Sequence, residues 1–66
     1  MAATQIQQNE SVGLNEIGVI SANNAGTLAD LENVLAQKAE AAGAKSFLIT
    51  SATGNNKIHG TAVIYR

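Results

Sequence analysis

Apolar residues change their spacing along this chain, and each change marks an element. The run Glu16 to Ser21, EIGVIS, is short and β-branched, which predicts a first strand. Leu28, Leu31, Val34, Leu35, Ala39 and Ala42 then recur at steps of three and four, so they form one stripe on a helix over 28–42. From Ala44 onward the period drops to two. Phe47 and Ile49 alternate with Ser46, Leu48 and Thr50, while Gly60, Ala62 and Ile64 alternate with His59, Thr61, Val63 and Tyr65. Thr53-Gly54-Asn55-Asn56 separates these two runs and reads as the turn of a hairpin. That hairpin is the unit the upstream elements have to cover.

The punctuation agrees with the periods. Thr27 can cap the helix, and Asp30 three residues later completes a variant capping box with Asp in place of Glu. Asp30 and Glu32 sit near the positive end of the helix dipole, where acids are stabilising. Gly43 supplies the left-handed residue that ends the helix. Gly13 suits a turn, Gly18 suits a bulge or a close backbone approach, and Ala22–Gly26 reads as a loop.

These elements in the order β-α-β-β predict an α+β fold, one helix packed on a three-stranded, mainly antiparallel sheet. The last strand is the most apolar and is placed in the centre. An alternative puts the first two strands side by side and parallel through a right-handed crossover. Phe47, Ile49, Ala62 and Ile64 are expected under the helix, with Ile17 and Val19 from the first strand. Gly60 and Ala62 are small, which would let the helix approach closely. Ile20, Leu48, Val63 and Tyr65 then point away from the only helix, a candidate interface to be covered by the N-terminal arm, a second copy or a protein partner. Residues 1–15 carry little apolar pattern and read as a flexible or weakly docked N-terminal arm ahead of a single domain, 16–66.

Composition narrows the chemistry more than it identifies it. A 66-residue chain is one small domain whose stability needs good packing or self-association, since it has no cysteine for a disulfide or thiolate metal site. The formal charge is −1, and the aromatics are limited to Phe47 and Tyr65. A nucleic-acid binder would show a basic stripe or stacking rings, so that class is not expected. No apolar run approaches the ~20 residues of a membrane-spanning helix. One histidine and scattered carboxylates select no catalytic set, no metal ligands and no cofactor site. What remains is a group of donors around the hairpin turn. Asn55, Asn56, Lys57 and His59, with Lys45 near a sheet end, are candidates for holding sulfate, phosphate or an anionic polysaccharide.

From Ile17 to Arg66 the chain resembles the YhcN-like family of small enterobacterial proteins, also called the BhsA/McbA family. The resemblance is carried by Ile20-Ser21-Ala22, by Leu35-Ala36-Gln37-Lys38-Ala39, by Gly43-Ala44-Lys45-Ser46-Phe47, by Ile49-Thr50-Ser51 and by the terminal HGTAVIY of residues 59–65. BhsA-like members look most similar. The resemblance implies a compact α+β domain, exported by a cleaved signal peptide to the periplasm or outer membrane. It also implies a non-enzymatic role in stress response and biofilm behaviour, and it makes Met1 the start of a chain whose signal has been removed. It names no site residue.

Overall fold

The fold is described from a computed structural model, over residues 3–66. Residues 1 and 2 of the expected arm, and with them the reading of Met1 as a start, lie outside the described residues. The elements are β1 (Thr4–Gln5), a single 3-10 turn at Gln8–Glu10, β2 (Glu16–Ala25), α1 (Leu28–Ala41), β3 (Ser46–Thr53) and β4 (Ile58–Tyr65).

The sheet order is β1-β3-β4-β2. As expected, the C-terminal strand is central and antiparallel to both neighbours. The three-stranded antiparallel sheet needs correcting, however, because β1 adds a fourth strand, parallel to β3, and makes the sheet mixed. Its docking uses main chain: the Thr4 amide donates to the Lys45 carbonyl at 3.1 Å and the Ile6 amide to the Phe47 carbonyl at 2.9 Å. Pairing of that kind needs no alternating side chains, so the polar arm gave no period to read.

A second correction concerns faces. Ile20 pairs with Ala62 and packs against the core under the helix, whereas Val19 pairs with Val63 on the outer face and is 63% exposed. The expectation had these two reversed. A register shift between Glu16 and Gly18 places Ile17 at a bulge, and Ile17 and Ile20 both reach the core from an odd spacing. Simple alternation from Ile17 therefore predicts the wrong face for everything after it. The expected loop at Ala22–Gly26 is also strand as far as Ala25, interrupted by a second shift between Ala22 and Ala25. Asn24 sits there at φ 60°, a left-handed conformation that asparagine tolerates better than most residues.

Helix α1 starts where the cap predicts, with the Asp30 amide donating to the Thr27 hydroxyl at 3.1 Å. Gly43 follows its end at φ +83°. The buried stripe is narrower than the apolar one, and consists of Leu31, Leu35 and Ala39. Leu28 and Val34 flank it and stay 51% and 36% exposed. With Phe47, Ala62 and Ile64 the stripe forms the core, where burial of Leu31, Leu35 and Phe47 contributes about 1.5–3 kcal/mol each. Gly60 sits where a side chain has no room: a Cβ there would lie 3.1 Å from Leu31 Cδ2 and far too close to the Ser51 carbonyl.

Residues 6–15 connect the two edges of the sheet, since β1 and β2 lie at opposite ends of the order. They must travel across roughly 14 Å of strands. The pairing of Thr4 with Ser46 and Gln5 with Phe47 puts Ile6 beside Leu48 on the face away from the helix. The Asn15 carbonyl closes the crossing by accepting from the Arg66 amide at 2.8 Å. Ser46 and Tyr65 lie on that same face with no helix above them, yet both are buried. With no helix on that side, we assign their cover to the crossing segment, whose two ends are held at this end of the sheet by the Ile6–Phe47 and Arg66–Asn15 bonds.

Candidate functional site

The outer sheet face divides into two halves. Toward the Arg66 end it is apolar: Leu48 and Val63 are half-buried neighbours, and Val19 lies beside Val63. Toward the hairpin turn it is polar, because strand alternation brings Ser21, Ser51, Thr61 and His59 to the same side.

Both strands flanking β4 lose register beside its polar half. In β3 the shift falls between Ile49 and Ser51, which brings Thr50 as well as Ser51 onto Thr61. The Thr61 hydroxyl lies 2.8 Å from the Thr50 hydroxyl and 3.1 Å from that of Ser51, and the Thr50 hydroxyl also donates to the Thr61 carbonyl at 3.3 Å. In β2 the shift sets Asn23 and Asn24 across from His59, between the Ala22–Gly60 and Ala25–Ile58 pairs. Bulges re-aim side chains, and here they concentrate hydroxyls and amides around one stretch of the central strand.

Beside that stretch is an open cleft of about 450 Å³. Strand β2 contributes Ser21, Asn23 and Asn24, β4 contributes His59 and Thr61, and Lys57 reaches in from the turn. Lys38 comes from α1 over the edge of the sheet, where its ammonium donates to the Ser21 carbonyl at 2.6 Å. β2 is an edge strand, so this contact also covers a main-chain acceptor that the sheet leaves unpaired.

The lining is one-signed. Two of the four lysine and arginine residues and the single histidine border the cleft, and none of the five carboxylates does. A net charge of −1 therefore conceals a local excess of positive charge. No acid in the lining is available to orient His59 as a base, and among the described residues no three His, Cys, Asp or Glu side chains gather as metal ligands. The arrangement is suited to holding an anion.

Of the residues expected around the turn, Lys57 and His59 reach this cleft. Asn55 and Asn56 lie in the turn outside its lining, and Lys45 is at the far end of the sheet, where its amide bonds the Tyr65 carbonyl. Lys38, Asn23 and Asn24 were missed. The Asn-Asn pair within β2 was a usable signal, since asparagine favours left-handed bulge positions. Lys38 had none, because it meets the cleft only through tertiary packing. Of the expected interface, Leu48 and Val63 do face outward, Tyr65 does so but is covered, and Ile20 is under the helix. The large apolar side chains most exposed near that end are instead Val12 at 83% and Val19 at 63%.

Known proteins share both the sequence and the fold. The multiple stress resistance protein BhsA of Escherichia coli strain K12 is 54% identical over 65 residues, covering 98% of this chain and 75% of BhsA. McbA of the same strain, an uncharacterised protein, is 45% identical over 65 residues, or 98% of this chain and 76% of McbA. The crystal structure of the C-terminal domain of the putative periplasmic protein YdgH from S. enterica superposes with a TM-score of 0.85. It is 19% identical and covers 97% of this chain and 98% of that domain, so the likeness is one of fold. With residues 14–66 matching its domain, and with relatives this similar over nearly the whole chain, the protein belongs to the YdgH/BhsA/McbA-like family.

Proposed function

We propose that this protein is a non-enzymatic binding module of the bacterial envelope that serves stress resistance and biofilm formation through contacts made by the outer face of its sheet. The observation that carries this reading is the composition of that face. Its polar half concentrates hydroxyls, amides and cations at two bulges, and no carboxylate lines the cleft to build a proton-transfer set around His59. The stress role rests on similarity to BhsA, and the periplasmic setting on the description of YdgH. No helix among the described residues is long and apolar enough to cross a membrane.

The test is complementation of stress sensitivity in cells deleted for the gene. Charge reversal at Lys57→Glu and a charge at Val19→Glu, both exposed outer-face positions, should abolish rescue at normal protein levels. Asn33→Ala and Gln37→Ala on the exposed side of α1 should rescue fully. Rescue by the outer-face variants together with failure of the helix variants would move the working surface to the helix.

A second reading is favoured by Val12, Leu14 and Val19, which are 83%, 41% and 63% exposed. Apolar side chains in this number at one end of a small domain support self-association through that end. Light scattering that gives the mass of one chain at every concentration would exclude it.

A further inference from the structure

We propose that the cleft between Lys38, Lys57 and His59 binds a tetrahedral oxyanion of the phosphate or sulfate type. The inference rests on the outer-face reading above and names the chemistry that face takes. Three observations carry it.

The first is charge. Lys38, Lys57 and His59 share one open cleft with no carboxylate in its lining, although the chain has five acids to distribute. A site of this kind attracts an anion at the cost of sensitivity to salt.

The second is the direction of the donors. Lys38 comes over the β2 edge from the helix, Lys57 and His59 from the turn side of β4, and Asn23 and Asn24 from the β2 bulge. An ammonium carries three hydrogens. One on Lys38 goes to the Ser21 carbonyl, which fixes the group at the rim and leaves two for a ligand. Part of the ordering entropy that a free lysine would lose on binding is therefore already lost in the unliganded protein.

The third is what the lining omits. It has no arginine, the residue whose planar fork matches a carboxylate in a bidentate pair. Separate point charges arriving from different sides suit oxygens directed to the corners of a tetrahedron. It has no phenyl, phenol or indole ring either, since Phe47 and Tyr65 are both buried and lie outside it. A nucleobase therefore has only the His59 imidazole to stack on. The volume of about 450 Å³ falls within the range of small-molecule sites, roughly 300–1,000 Å³. It accommodates the molecule bearing the anion as well as the free ion.

The test is backbone amide NMR of the full chain titrated with sodium phosphate, glucose 6-phosphate, glucuronate and glucose, at low and at moderate ionic strength. Phosphate and glucose 6-phosphate should shift residues 21–24 and 57–61, with glucuronate weaker and glucose silent, and the shifts should fade with salt. Tighter binding of the ester than of phosphate identifies a carried group, and equal binding identifies the free ion. Lys38→Gln and Lys57→Gln should each weaken the affinity about threefold to tenfold, and the pair should remove measurable saturation, with the dispersed spectrum retained. Silence with every anion, glucuronate binding at least as tightly as glucose 6-phosphate, or a response to glucose would overturn the proposal. The outer-face reading would survive that result if complementation still fails in the outer-face variants. Conversely, intact phosphate binding in a chain whose outer-face variants rescue cells would leave the site and remove the role.

Discussion

Gly60 and Gly18 both lie in the sheet, and the same substitution should move stability in opposite directions at the two. At Gly60 an added Cβ would meet main chain on β3, far too close to the Ser51 carbonyl and 3.2 Å from Ala52 Cα, besides Leu31 Cδ2 at 3.1 Å. No rotamer change relieves a clash with a carbonyl, so β3 and β4 must separate locally, and Leu31 on the helix must give as well. Overpacking of this kind costs about 1–3 kcal/mol, and contact with two backbone atoms argues for the upper end. A domain of this length has only about 3–10 kcal/mol to lose, and each kcal/mol shifts Tm by roughly 4–8 °C. Gly60→Ala should therefore lower Tm by roughly 12–24 °C. At Gly18 the nearest atoms are the Ile64 side chain at 3.9 and 4.0 Å, which is ordinary contact, and its φ is not left-handed. Removing glycine there restricts the unfolded chain and should stabilise by about 0.4–1 kcal/mol. Thermal unfolding followed by circular dichroism measures both. Equal losses at the two positions, or a Gly60→Ala protein within about 1 kcal/mol of wild type, would refute the argument that close strand and helix approach fixes glycine at 60.

Two further substitutions probe the helix. Leu35 is fully buried in the middle of the stripe, so Leu35→Ala should cost about 2–5 kcal/mol and leave the domain partly unfolded at room temperature, visible as loss of amide dispersion. Thr27→Ala removes the acceptor of the Asp30 amide and should cost about 1 kcal/mol in urea unfolding, whereas Thr27→Ser should retain most of it.

The contrast between Ile17 and Val19 shows where sequence reading stops. Element types and the central position of β4 follow from periods and from residues such as Thr27 and Gly43, whose roles are local. A bulge is also local in extent, but its effect on facing propagates, and nothing in EIGVIS marks Ile17 rather than Gly18 as the irregular position. The pairing of β1 was hidden for a different reason, since main-chain bonds at an edge place no demand on side-chain pattern. The cleft was half legible. Lys57 and His59 come from one turn and stand together in sequence, whereas Lys38 and Asn23–Asn24 join them only once the helix and β2 are folded.

The strap formed by residues 6–15 also makes the cover of Tyr65 an equilibrium rather than a fixture. Its anchor at one end is chiefly the pair of amide bonds from Thr4 and Ile6 to β3. Each contributes about 0.5–1.5 kcal/mol net, so an opening that breaks both costs roughly 1–3 kcal/mol. A state at that free energy is populated at between roughly 0.6% and roughly 15%. Hydrogen exchange at Thr4 and Ile6 should then run orders of magnitude faster than in the middle of β4, independently of global unfolding. Each excursion would bare Ser46 and Tyr65 and join them to the apolar surface already exposed at Val19. The area this domain offers to a partner is thus set by how often the strap lifts, and mutations in residues 6–15 would tune it without touching the surface beneath.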